Sequence, residues 1–197
     1  MTESAKAGIM ANLGFIAWFV YETLALCGYW TAATVAGLAV IIAIIVVERR
    51  ISTVKILDCT SLAFFVIVGI ALATAGAKAL GHYHVILAWG VFALVTWVTI
   101  IAGFPFTLQY AREQTPPEVW HQPQFIRTNL NLTLVWALIF TVNTALAVMA
   151  LHGRFVLMLA LIIPGASMVL GYAVSRIYPE RARRRYGLPP AQGAASG

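Results

Sequence analysis

Charge is scarce in this sequence. Only 10% of its 197 residues are Asp, Glu, Lys or Arg, and 61% are hydrophobic, whereas soluble domains carry roughly 25% charged residues. That balance excludes an ordinary soluble domain and predicts a protein built into a membrane. Cysteine is equally sparse. Cys27 and Cys59 fall at opposite ends of the apolar segments on either side of them, which excludes a disulfide framework and a C-x-x-C redox pair. The four histidines, His82, His84, His121 and His152, all fall in connectors, so a b-type haem has no axial ligands within the bilayer. His82, His84 and His152 share the outer side, but an H-x-H pair without a fixed Cys or carboxylate is a weak metal signal. No cofactor and no metal are expected. The sequence also lacks a Gly-rich phosphate loop, a nucleophile elbow, an H-E-x-x-H motif and a paired-aspartate run, so no enzyme activity is expected.

What remains is a set of apolar segments, and the length predicts an all-α polytopic membrane protein. Six segments are long enough, or nearly so, to cross a hydrocarbon core of roughly 30 Å: about Ile9 to Leu26, Tyr29 to Val47, Ile56 to Gly76, Val85 to Gly103, Leu130 to Ala150 and Phe155 to Val174. They use up residues 1–186 as one transmembrane domain. The start, "MTESAKAGIM", shows no small-residue cleavage site after the first apolar run, so that run reads as a retained helix. Past Tyr186, "GLPPAQGAASG" has no apolar period, and residues 187–197 read as a disordered cytoplasmic tail.

Basic residues set the expected orientation, because Lys and Arg in short loops stay on the cytoplasmic side. With the N-terminus inside, Lys6, Arg49, Arg50, Lys55, Arg112, Arg127, Arg176, Arg181, Arg183, Arg184 and Arg185 all lie inside, and Lys78 and Arg154 alone lie outside. Adding or dropping one helix would scramble this sidedness. The same distribution explains the net charge of +6 as a basic face beside an anionic inner leaflet, and nucleic acid is not needed as a partner.

Within the spans, Gly69, Ala73 and Ala77, with Ala71 and Ala75 beside them, form a small-residue row suited to close helix packing. Pro164 and Gly165 should bend the sixth helix. Three polar residues are candidates for function because polar groups in a bilayer are costly. Glu22 lies toward the outer end of the first helix and would reach interfacial water or pair with Lys78 or Arg154. Asp58 lies in the first turn of the third, where the macrodipole and Lys55 or Arg49 would neutralise it. Asn143, in the fifth, needs a cross-helix hydrogen bond.

The longest polar stretch, "FTLQYAREQTPPEVWHQPQFIRTN" from Phe106 to Asn129, joins the fourth and fifth helices on the cytoplasmic side. "TPPE" reads as a helix start, with Thr115 as cap, Pro116 at the first helical position and Glu118 three residues after the cap. Pro123 would limit that helix to about two turns. Phe104, Phe106, Tyr110, Trp120 and Phe125 would sink to headgroup depth while Arg112, Glu113, Gln114, His121 and Arg127 stay wet. The connector is thus an interfacial anchor or a docking surface, with Tyr110, Arg112, Trp120, Arg127, Asn129 and Asn131 as its contact residues.

The order of parts resembles the intracellular septation protein A family of bacterial inner-membrane proteins. A second helix ending in "VERR", a connector carrying "PPEVW" and the following "RTNLNLTLVWALIF" carry the resemblance, which extends from about Phe15 to Tyr178. Its best local match is Trp120, Asn129, Leu130, Asn131, Leu132 and Trp136, as in a divergent member. The resemblance implies a multi-pass inner-membrane protein of cell-envelope and septum maintenance that acts through partner proteins, with no catalytic residues to carry over. The expected partners are the bilayer, other membrane proteins and further copies of the chain. The rival expectation is a small transporter or channel for a lipid or small solute, with Glu22, Asp58 and Asn143 lining the path.

Overall fold

The computed structural model describes residues 14–51, 53–75, 83–151 and 153–186. Among the described residues the chain is helical throughout and has no strand. The α-helices are α1 (Gly14–Leu26), α2 (Trp30–Ile51), α3 (Ile56–Ala75), α4 (His84–Ile101), α5 (Thr107–Glu113), α6 (Pro123–Ala150) and α7 (Arg154–Tyr186), with a 3-10 turn at Pro117–Val119.

Four of these, α2, α3, α4 and α6, are long and apolar enough to cross a membrane. Six spans are expected, and among the described residues these four alone qualify. The first helix, α1, is apolar but has 13 residues, about 20 Å at 1.5 Å per residue, and the rest of the expected first span, from Ile9, lies outside the described residues. The last, α7, does not stop at Val174 as expected but continues to Tyr186 over 33 residues, carrying Pro164 and Pro179 inside it and Arg183, Arg184 and Arg185 in its last turn. Gly76, Ala77, Lys78, His82, His152 and the tail 187–197 also lie outside the described residues.

Side-chain hydroxyls inside the helices follow the rule that polar groups in lipid are satisfied within the protein. Thr34, Thr60, Ser61, Thr96, Thr141 and Thr144 each donate to the carbonyl four residues back, at 2.6 to 3.0 Å. Large apolar side chains such as Phe19, Ile67, Leu94 and Val169 remain exposed, as a lipid-facing surface requires. Two helix ends need glycine. At Gly28 (φ 83°) and Gly103 (φ 75°) the chain enters the left-handed region that a Cβ disfavours. There Tyr29 N–H reaches Leu24 O and Phe104 N–H reaches Thr99 O, while each glycine N–H bonds one residue further along, the paired closure of a Schellman cap.

The chain divides into two compact units, one ending at His84 and one beginning at Val85. The first packs α1, α2 and α3 around an aromatic knot. Trp18 lies 4.7 Å from Phe64 and 5.2 Å from Phe65, ring to ring, Tyr21 lies 5.3 Å from Phe65, and Trp18 Nε1 donates to Ser61 Oγ at 2.7 Å. The close approach of α2 and α3 is made at Gly37, where an added Cβ would stand 2.7 Å from Phe65 Cε1. The expected small-residue row contributes less: an added Cβ on Gly69 would meet Thr34 Cγ2 at an ordinary 3.6 Å, and Ala73 is exposed.

In the second unit α6 and α7 pack as an antiparallel pair joined at three levels. Asn131 Nδ2 donates to Tyr178 Oη (2.7 Å), Trp136 Nε1 to Ser175 Oγ (3.0 Å) and Asn143 Nδ2 to Ser167 Oγ (3.1 Å). Gly171 makes room for the Trp136 ring, from which an added Cβ would stand 2.9 Å. Next to Trp136 on α6, Phe140 stacks with Phe92 of α4 at 5.2 Å.

Candidate functional site

The α2–α3 turn gathers three charged side chains away from solvent. Glu48 (1% exposed) comes from the last turn of α2, Lys55 (1%) from the turn itself and Asp58 (4%) from the first turn of α3. The turn builds itself locally. Lys55 O accepts from the N–H groups of Asp58 and Cys59, both at 3.1 Å, and Lys55 Nζ donates to Thr53 O at 2.5 Å. Glu48, Lys55 and Asp58 are close enough for their charges to act on one another. Glu48 Oε2, by contrast, is shielded from solvent and has no hydrogen-bond partner. The start of α1 closes the cluster from above, because a Cβ on Gly14 would collide with Asp58 Oδ1.

Asp58 and Lys55 are therefore neighbours as the sequence predicts, while Arg49 and Arg50 point outward. Glu48 is the member that sequence reasoning misses. It sits in "VVERR" beside two arginines, a pattern that reads as a solvated helix end, and only the hairpin brings it to a residue ten positions away. Its signal was an acidic residue closing an otherwise unbroken apolar run.

Both cations expected for Glu22, Lys78 and the Arg154 side chain, lie outside the described residues, and its described neighbour is a histidine. Glu22 Oε2 lies 3.7 Å from Nε2 of His84, whose side chain is 13% exposed. His84 is correspondingly not a loose connector residue: it occupies the first turn of α4, with its ring edge-on to Trp30 at 4.5 Å and to Tyr21 at 6.4 Å. Among the described residues no group of three His, Cys, Asp or Glu side chains could hold a metal ion.

Asn143 (1% exposed) meets its expectation of a cross-helix partner. Its amide donates to Ser167 Oγ, whose single O–H has two acceptors in reach, Asn143 Oδ1 at 3.3 Å and Pro164 O at 2.9 Å. Replacing it as Asn143→Leu is expected to lower the stability of the chain in detergent by roughly 0.6 to 1.7 kcal/mol, read from a thermal or denaturant melt. A change below that range would mean that Ser167 satisfies the site alone. Glu22, Asp58 and Asn143 each have a separate neighbour: His84, the Glu48–Lys55 pair and Ser167.

The connector is folded more firmly than expected, and differently. Residues 107–113 form a helix, and Thr115, buried at 4%, donates to Ala111 O at 2.6 Å. It thus closes α5 and does not cap a following helix. The expected helix at "TPPE" is a single 3-10 turn because Pro117 forces Pro116 out of the helical region, to ψ 146°. Pro123 likewise does not end a helix but opens α6 at its first position, after an extended Gln122 (ψ 131°). Leu108, Val119 and Phe125 make a small core, against which Ala111 and Trp120 pack. Thr107 Oγ1 ties this core to α6 through Asn129 O (2.8 Å) and Thr133 Oγ1 (2.9 Å).

The ring residues do not all face the lipid. Phe106 and Phe125 are buried in the protein, and Phe104 alone of the five is strongly exposed, at 74%. Tyr110 is half-buried, edge-on to Phe106 at 6.2 Å. Trp120 donates to Thr115 O at 3.0 Å, with Arg112 over its ring at 5.5 Å. Asn129 is buried and bonds Phe125 O, and Asn131 reaches Tyr178, so both serve the helix pair. Arg112, Glu118, His121 and Arg127 form the exposed polar edge.

No protein-family model matches the chain, and no curated protein or solved structure is significantly similar to it.

Proposed function

We propose that this chain is a non-enzymatic multi-pass protein of the bacterial inner membrane, with both termini cytoplasmic. It acts in cell-envelope or septum maintenance through helix association and through partner docking on the connector between α4 and α6. The part in septation rests on the resemblance carried by "VERR", "PPEVW" and "RTNLNLTLVWALIF". The observation that supports docking is the connector itself. Its core of Leu108, Val119 and Phe125 and the tie from Thr107 to α6 hold a fixed surface with Phe104, Arg112, His121 and Arg127 on its outside. A pre-organised surface binds with a smaller ordering cost than a loose loop. The rival reading is a small transporter or channel, with Glu22, Asp58 and Asn143 lining its path.

A photo-crosslinking side chain placed at Arg127 in native membranes tests the proposal. The expected result is a discrete protein adduct that disappears when Val119→Asp disrupts the connector core but persists in Asn143→Leu. Adducts with lipid alone, or a protein adduct indifferent to Val119→Asp, would remove the docking reading.

A further inference from the structure

We propose that the far end of α7 binds an anionic phospholipid, with the headgroup phosphate held by Tyr172 and Arg176 and the surrounding charge supplied by Arg181, Arg183, Arg184 and Arg185. This rests on the reading of the chain as a membrane protein and needs neither a docking partner nor a part in septation. From Phe155 to Ser175 the sequence of α7 has no charged residue, a stretch of about 30 Å at 1.5 Å per residue, which is the thickness of a hydrocarbon core. The helix nevertheless runs on to Tyr186, so it leaves the hydrocarbon near Arg176 and carries its last turns through the headgroup layer. Those turns hold five arginines against a single acid, Glu180. Glu180 is near enough to act on Arg183, yet among the described residues none of the five arginines makes a salt bridge. Residues 187–197 add no Asp or Glu. The charge of this end is therefore open to an anion from its surroundings, and at headgroup depth that anion is a phospholipid.

Arg176 is the fixed point of this surface. Its Nε and Nη2 both donate to Tyr172 Oη, at 3.2 and 2.9 Å, and its guanidinium carbon stands 5.4 Å from the centre of the same ring. The phenol thus occupies one edge of the guanidinium. The end-on edge, Nη1 with the second N–H of Nη2, is left for a phosphate, which a guanidinium takes in bidentate fashion. Because its oxygen accepts from Arg176, Tyr172 keeps its own O–H as a further donor. Both side chains are exposed, and an arginine already held in place loses less rotamer freedom on binding than a loose one. α7 is itself anchored at this depth, since Ser175 and Tyr178 accept from Trp136 and Asn131 of α6 and Ala182 is buried. Arg183, seven residues past Arg176, returns to the same stripe of the helix. Ile177, next to Arg176, is apolar and 47% exposed, which suits the acyl edge of a lipid and not a free ion in water.

Native mass spectrometry of the full chain, taken from neutral detergent micelles that hold equal amounts of phosphatidylglycerol and phosphatidylcholine, tests this. The wild type is expected to retain phosphatidylglycerol in preference, and Arg176→Gln to lower that preference by roughly fivefold or more, with helical content unchanged. Tyr172→Phe is the second variant: it removes only the hydroxyl that holds Arg176 and is expected to weaken the preference in the same direction. Arg49→Gln, at the end of α2, removes equal charge elsewhere and is expected to leave it intact. Equal retention of the two lipids by the wild type, or a preference unchanged in both Arg176→Gln and Tyr172→Phe, overturns the proposal. An equal fall in Arg176→Gln and Arg49→Gln also overturns it, since the charge of the whole chain and not this site would then hold the lipid. So does release of the lipid by an excess of inorganic phosphate, which would make the ligand a free anion. Loss of the protein adduct at Arg127 with the lipid preference intact would remove the docking reading alone.

Discussion

Lys55→Met is expected to destabilise the chain by roughly 3–5 kcal/mol, the cost of removing one partner from a buried set of charges. The lysine is 1% exposed, and it sits with two carboxyl groups that are themselves 1% and 4% exposed. Methionine nearly matches its length and apolar stem, so packing is kept and charge alone is lost. With the cation gone, the α2–α3 turn holds a negative charge that neither solvent nor Arg49 and Arg50, both exposed, can reach. The double variant Lys55→Met with Asp58→Asn removes one of the two carboxyls left without the cation and is expected to recover part of the loss. Thermal unfolding in detergent, followed by the near-ultraviolet signal of the aromatic side chains, reads both. A single variant as stable as the wild type would show that the ammonium is solvated and that the cluster is not closed.

The second large effect is steric. Gly37→Ala is expected to cost roughly 1–3 kcal/mol, the usual penalty of overpacking, although glycine to alanine within a helix ordinarily stabilises by about 1 kcal/mol. The new methyl carbon would stand 2.7 and 2.8 Å from Phe65 Cε1 and Cζ. Phe65 cannot retreat: it is 0% exposed and is held by Trp18, Tyr21 and Phe64 within 5.5 Å between ring centres. Phe65→Leu in the same chain should relieve part of the clash. Gly69→Ala is the control, because its methyl meets Thr34 at 3.6 Å and should be tolerated. If both alanines are tolerated alike, the close contact of α2 and α3 at Gly37 is not maintained in the folded protein.

These two variants also mark where sequence reasoning reaches and where it stops. Hydropathy alone locates α2, α3, α4 and α6, because a bilayer imposes one length and one composition on any helix that crosses it. Asp58 with Lys55 is legible because three residues separate them along the chain. Glu48 and the His84 partner of Glu22 are not, since both depend on contacts between helices that no local spacing encodes. The same holds for Gly37: a run of small residues at Gly69, Ala73 and Ala77 advertises packing more loudly than a lone glycine in "TVAGLAV", yet the ring of Phe65 decides which glycine matters. In the connector the local signals were present but conflicted. "TPPE" contains a cap and a proline at the right spacing, and the second proline cancels the first by excluding it from the helical region.

The three bonds between α6 and α7 constrain how the second unit can move. Asn131 with Tyr178, Trp136 with Ser175 and Asn143 with Ser167 run antiparallel along both helices. Sliding one helix past the other by a single turn would break all of them together, and Trp136 against Gly171 blocks the intermediate registers. Shear between these helices has to break all three bonds together, and those bonds couple the connector end of α6 to the arginines near Tyr186.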